Sequence, residues 1–204
     1  MSKLELLLVA VCVCLLGVVV QAQQVDAAFG VGGVKSTSAA NADFANGYSP
    51  QSVGGGTFLG FSGDFLFPKH YGIEGEVFWR AHQNVYNPVI SGGQPFRPLF
   101  WDFNGIYERN FAKRVGVELL AGIGEESNRF YQPFVTCGFT SCTNYTSVGH
   151  FMGDFGGGLR LYATPHFFIR PEARVYLVRN NFEFSSGHAE RFSVSLGYTF
   201  GGPQ

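Results

Sequence analysis

The sequence predicts an all-β chain, an eight-stranded antiparallel up-and-down transmembrane β-barrel behind a cleaved signal peptide. Three observations predict it. Apolar and polar residues alternate at period two in eight segments, the connections between those segments are alternately short and long, and the composition favours strands. The 204 residues include 28 Gly, 22 Phe, 9 Tyr and 2 Trp, and only 14% are charged, so the aromatic residues of strands replace the long charged residues of helices. With 14 Lys plus Arg against 15 Asp plus Glu the formal net charge is −1. Nucleic-acid binding needs a basic excess to neutralise phosphates, so no nucleic-acid partner is expected.

The first element is a targeting segment. Lys3 precedes an almost unbroken apolar run from Leu6 to Val20, and Val20-Gln21-Ala22 has the small-residue spacing of a signal-peptidase site. The run is shorter than the ~20 apolar residues of a spanning helix. Residues 1–22 are therefore expected to be removed, leaving one domain, 23–204. Val11 precedes Cys12 and Val13 precedes Cys14, where an acylated cysteine would need a small neighbour, so both cysteines leave with the signal. The remaining pair, Cys137 and Cys142, lie close together in an exported chain, which suggests a disulfide over two free thiols. A zinc site would need further ligands nearby, and only His150 approaches.

The strand segments then follow in order. Ala27 to Lys35 is glycine-rich, and Gly56 to Phe67 follows it. In Gly72 to Ala81, Ile73, Val77 and Trp79 oppose Glu74, Glu76 and Arg80. Pro98 to Arg109 is the fourth. In Arg114 to Gly124, Val115, Val117, Leu119 and Ile123 oppose Arg114 and Glu118. In His150 to Tyr162, Phe151, Phe155, Leu159 and Leu161 oppose His150, Asp154 and Arg160. In Phe167 to Val178, Ile169, Ala173, Val175 and Leu177 oppose Arg170, Glu172 and Arg174, and Ala189 to Phe200 closes the set. Pro68 to Tyr71, Asn110 to Lys113 and Ala163 to His166 are short connections; Ser36 to Gly55, His82 to Arg97, Glu125 to Gly149 and Arg179 to His188 are long. An up-and-down meander puts every second connection at the same end, so one end has tight turns and the other has loops. Segments of ~9 to 11 residues suit a tilted strand crossing hydrocarbon, and eight strands make the smallest barrel whose interior side chains just fill it.

Charge decides which face points inward. Lys is nearly absent from the strands, and the polar faces carry Arg80, Arg114, Arg160, Arg170, Arg174 and Arg191 with Asp64, Glu74, Glu76, Asp102, Glu108, Glu118, Asp154 and Glu172. Arg and carboxylate in near balance suit a crowded ion-paired interior. The expected lumen network is Glu74, Glu76, Arg80, Glu118, Asp154, Arg160, Arg170, Glu172 and Arg174, with Arg170-Glu172-Arg174 as its hub. The opposite orientation, apolar face inward, would make a soluble lipocalin-like ligand carrier. Aromatic residues near segment ends, including Phe65, Trp79, Trp101, Tyr107, Tyr162, Phe167, Phe168, Tyr198 and Phe200, read as interfacial girdles.

On these features the chain after Ala22 resembles the small outer-membrane β-barrels, the OmpA-like and OmpX-like eight-stranded proteins. Its last strand, Ser193-Val-Ser-Leu-Gly-Tyr-Thr-Phe200, resembles the family's assembly signal, with Tyr198 and Phe200 as the aromatic pair, although Gly201-Gly-Pro-Gln204 follows and Ser195 stands where glycine is frequent. The resemblance implies residence in a Gram-negative-type outer membrane, contact with lipid and lipopolysaccharide, and insertion by the barrel-assembly machinery. It also implies a non-enzymatic protein whose long loops serve envelope integrity or contact a surface ligand. A narrow, porin-like pore is the alternative, though water-filled porins use about 16 strands.

Catalysis is not expected. The lipid A deacylase family carries a His-x-Ser motif on a strand, whereas this chain has only His188-Ala189-Glu190. Gly54-Gly-Gly56 and Gly156-Gly-Gly158 lack the Lys-Ser/Thr of phosphate loops and read as glycines that let strands bend. No cofactor and no metal are expected.

Overall fold

The computed structural model describes residues 24–36, 52–67, 70–86, 93–138, 142–181, 183–184 and 187–200. The expected signal peptide, residues 1–22, and the tail after Phe200 lie outside these residues. The described chain contains nine strands: β1 (Gln24–Lys35), β2 (Phe58–Leu66), β3 (Tyr71–Arg80), β4 (Asn84–Tyr86), β5 (Gln94–Ala112), β6 (Val115–Cys137), β7 (Cys142–Tyr162), β8 (Phe167–Val178) and β9 (His188–Phe200). Eight of them close a ring of antiparallel neighbours, because β3 pairs with β5 and β1 pairs with β9. The ninth, β4, is a three-residue strand that pairs only with the outer part of β5.

Closure fixes the two ends. Val25 pairs with Phe200, so both ends of the barrel sequence lie beside the tight β2–β3, β5–β6 and β7–β8 turns. At the β2–β3 turn His70 adopts a left-handed backbone (φ 74) and its carbonyl accepts from the Glu108 N–H at 2.8 Å. The described residues of the remaining connections lie at the opposite, outer end. Here Gly55 (φ +83) and Gly56 (φ +78) turn the chain into β2, a left-handed turn beside Arg80 where the sequence suggested strand bending.

Three strands run well past the lengths read from alternation. The apolar outward rows of β6 and β7 end at Ile123 and Phe151, yet the ladder continues to Tyr131 paired with Tyr145 and, beyond an irregularity, to Cys137 paired with Cys142. The stretch 125–149, expected as a loop, is thus mostly a β-hairpin. Alternation of hydrophobicity ends where lipid ends, but Thr, Tyr, Val and Phe keep their strand preference in water. The expected disulfide joins Cys137 to Cys142 at the hairpin tip.

The faces sort by charge. Leu119, Ile123, Phe155, Leu177, Phe192 and Leu196 are among the large apolar side chains exposed on the outer wall, whereas Arg160, Arg170, Arg174 and Arg191 are among the largest fully buried side chains. This is the inverse of a soluble ligand carrier, whose apolar face lines its cavity. No helix among the described residues is long and apolar enough to cross a membrane, and the apolar belt is built from strands instead.

Candidate functional site

Alternation sends every second residue of each strand into the lumen, and register stacks these residues in layers. The inner layers centre on Arg160 of β7. Its guanidinium pairs with Asp26 of β1, with Asp64 of β2 at 2.5 Å, with Glu118 of β6 at 2.6 Å and with Glu108 of β5 at 3.3 Å. Arg170 of β8 links upward, reaching Glu74 at 2.9 Å, Asp64 at 3.1 Å and Glu118 at 3.4 Å, and it donates to the Ser62 hydroxyl at 2.8 Å. Arg174 holds the middle, with Glu172 at 2.5 Å, Glu74 at 2.6 Å, Glu76 at 2.9 Å, Asp102 at 3.2 Å and Asp154 at 3.8 Å. Arg191 of β9 pairs with Glu76 at 2.8 Å and with Glu172, and it donates to the Tyr176 hydroxyl at 2.7 Å. Its guanidinium lies 4.2 Å from the Phe78 ring centroid.

Eight of the nine residues named from sequence thus meet in one network. Arg80 stands apart. It points inward but donates to the carbonyls of Gly54, at 2.9 Å, and Gly55, between the rings of Phe58 and Phe96. The trio Arg170-Glu172-Arg174 is present, yet the contacts centre on Arg160 and Arg174, each facing acids from several strands. Asp26, Asp64, Asp102, Glu108 and Arg191 complete the network beyond the named set. Four of them lay legibly on charged faces; Asp26 was missed because β1 begins at Gln24 rather than Ala27. Arg114 leaves the charged row, being exposed in the β5–β6 turn.

Apolar rings close the lumen at both ends. On the outer side Phe58 stacks on Phe78 with centroids 5.5 Å apart, and Phe100 stacks on Tyr176 at 5.0 Å. Above them Tyr86, Phe96, Phe130 and Phe184 interlock. On the inner side Phe168 packs against Tyr162 with centroids 5.6 Å apart. Phe168 and Tyr162 are therefore a floor of the lumen, not part of a lipid-facing girdle. The outward aromatics that do form one at the inner end include Tyr71 with Tyr107, and Phe167, Tyr198 and Phe200 in edge contacts at 5.0 and 4.9 Å. Tyr198 and Phe200, the residues resembling an assembly signal, sit in this inner patch.

A second polar cluster lies at the outer end, beyond the apolar belt. The fully buried Glu126 carboxylate accepts from Asn128 at 2.7 Å and from Asn181 at 3.0 Å. His150 pairs with Glu183 at 2.9 Å, and the Tyr86 hydroxyl donates to the Glu183 carbonyl at 3.1 Å. Residues of the β8–β9 connection are thereby held in the barrel mouth. Burial pushes the Glu126 carboxyl up to about 7, against the lowering hydrogen bonds from Asn128 and Asn181. The hydrogen bond to Glu183 raises His150 above the ordinary imidazole range. Burial pushes Glu183 upward, but the bond and charge of His150 outweigh it and hold Glu183 below the usual carboxylate range.

None of these groups forms a nucleophile–base constellation; the geometry is that of a filled, ion-paired scaffold. No protein-family model matches the chain, and no curated protein matches it in sequence. Solved structures do resemble it in fold. The attachment invasion locus protein Ail of Yersinia pestis, solved with the heparin analogue sucrose octasulfate, superposes with a TM-score of 0.51 at 14% identity, over 87% of this chain and 97% of that one. Neisserial surface protein A gives 0.53 at 11% identity over 86% and 94% of the two chains. A major outer membrane protein from Thermus thermophilus gives 0.52 at 10% identity over 86% and 99%. The chain has the fold of the small eight-stranded outer-membrane β-barrels.

Proposed function

We propose that this chain is a non-enzymatic outer-membrane protein in which a closed, salt-bridged barrel carries surface-exposed strands and loops that contact the envelope or an outside ligand. The observation that carries this reading is the pairing of an apolar outer wall with an interior filled by ions and aromatic rings. Such a body is stable in lipid, and its inward side chains are engaged with one another in ion pairs and ring contacts. Binding residues tend to sit on projections from a rigid scaffold, and the extended β6–β7 hairpin, with Phe134 and Val135 exposed near its disulfide-closed tip, is the largest projection described. Lipid and lipopolysaccharide are the expected neighbours of the belt, and the barrel-assembly machinery is the expected inserter.

The test pairs a measurement on the purified protein with one on intact cells. Reconstituted into a planar bilayer, the protein should give no steady conductance, and an epitope placed at the hairpin tip should bind antibody on intact cells. Reproducible channel openings would favour the narrow pore, and a tip reached only after cell lysis would remove the surface role.

A further inference from the structure

The lumen carries more negative charge than its arginines balance. Nine inward carboxylates belong to the network described above, and the guanidiniums that pair with them are those of Arg160, Arg170, Arg174 and Arg191. Arg80 contacts backbone carbonyls instead. The imbalance is sharpest in the middle layer. Even if Arg170 is assigned wholly to it, Glu74, Glu76, Asp102, Asp154 and Glu172 face three guanidiniums. Uncompensated ions in a water-poor interior are strongly unfavourable.

A second observation shows where the surplus lies. Asp154 is 4% exposed and neither of its oxygens accepts a hydrogen bond; Asp102 is 1% exposed and its Oδ2 accepts none. Both carboxylates face the same Arg174 Nη1, Asp102 through Oδ1 at 3.2 Å and Asp154 through Oδ2 at 3.8 Å. Oxygens of Glu74, Glu76 and Asp102 lie within 4.8 Å of one another. Buried polar atoms are rarely left without a partner, and the free Asp102 Oδ2 belongs to the carboxylate that clusters with Glu74 and Glu76.

We propose that this layer binds a divalent cation, held by Asp102 together with Glu74 and Glu76 and completed by water, with Asp154 adding negative charge beside it. The surplus of two negative charges in the layer is what one such ion neutralises. A hard cation such as calcium takes roughly six to eight oxygen ligands in adaptable geometry, which suits carboxylates already fixed by a neighbouring guanidinium. The stacked pairs Phe58–Phe78 and Phe100–Tyr176 lie outward of the site, so the ion is trapped as the barrel closes.

The experiment refolds the mature protein from urea into zwitterionic detergent free of lipopolysaccharide, with millimolar calcium chloride or with a chelator, and then desalts both samples. Elemental analysis should find about one calcium per barrel in the first sample only, and that sample should melt several degrees higher. Asp102→Asn, and Glu76→Gln separately, should lose the retained calcium and the difference in melting while keeping the folded form's faster migration in unboiled gels. If wild-type protein folds in both media and retains no calcium, the surplus is held by protons and the proposal fails. Calcium retained equally by wild type and both variants would overturn the site.

Discussion

Arg174 shows what a single residue does in this interior. It touches five carboxylates from four strands, and it reaches them because Gly156 on β7 has no side chain where a Cβ would come within 2.8 Å of the Arg174 Cγ. Removing one partner of a buried ion pair costs about 3 to 5 kcal/mol because the other charge is left uncompensated. Arg174→Ala should therefore lower the unfolding midpoint in detergent by that order, as read by urea titration of the heat-modifiable band, and Arg174→Met should lower it nearly as much although it keeps most of the volume. Glu126 sets a pH dependence of the opposite kind. Its folded carboxyl titrates at about 7, above the ordinary value of 4.5, so folding favours the protonated form and stability falls as pH rises through that interval. His150, raised by Glu183, adds stability below its ordinary range that is likewise lost on deprotonation. Wild-type protein should accordingly melt lower at about pH 8 than at about pH 5.5, and Glu126→Gln should remove much of that slope. A melting temperature that rises toward pH 8 would contradict this assignment.

Among the elements, the β6–β7 hairpin is the one that sequence patterning described least well. Period-two hydrophobicity is a record of what lies on either side of a sheet, and it stops at Ile123 and Phe151, where the outer wall leaves the belt. Strand pairing does not stop there, because backbone hydrogen bonds and residues such as Tyr131 opposite Tyr145 continue the ladder. The disulfide closes only a short segment at the tip, so its entropic effect is about 2 kcal/mol and local. Replacing Cys137 and Cys142 by Ser should leave the barrel's melting temperature nearly unchanged while quickening protease cleavage between residues 131 and 145. A fall in global stability instead would mean that the tip anchors the barrel. The outward strand faces make a different prediction. Leu196 is exposed in mid-wall of β9, and Leu196→Arg should cost about 2 to 4 kcal/mol in a bilayer, as a cation at the midplane does, while Leu196→Phe should cost little.

For the whole molecule, the sequence carried the strand number of the barrel, the inward and outward faces, the asymmetry of the two ends and most of the interior charges, since each follows from alternation and turn spacing. Three things lay beyond it. The partner of each arginine depends on register around the ring, which placed Arg160 among acids from four different strands and left Arg80 to backbone carbonyls. Whether an aromatic residue belongs to the girdle or the lumen turns on one-residue parity, which sends Phe168 inward and Phe167 outward. The polar mouth cluster joins His150, at the start of an alternating segment, to Glu126, Asn128 and Asn181 from segments read as loops, where no period exists to count. The central claim, that the apolar face meets lipid and the charged face is enclosed, is tested most directly by fractionating cells and comparing boiled with unboiled protein on a gel. The account predicts a protein in the outer-membrane fraction whose unboiled form resists SDS and migrates faster than its boiled form. Protein in the soluble periplasm, with identical migration before and after boiling, would contradict it.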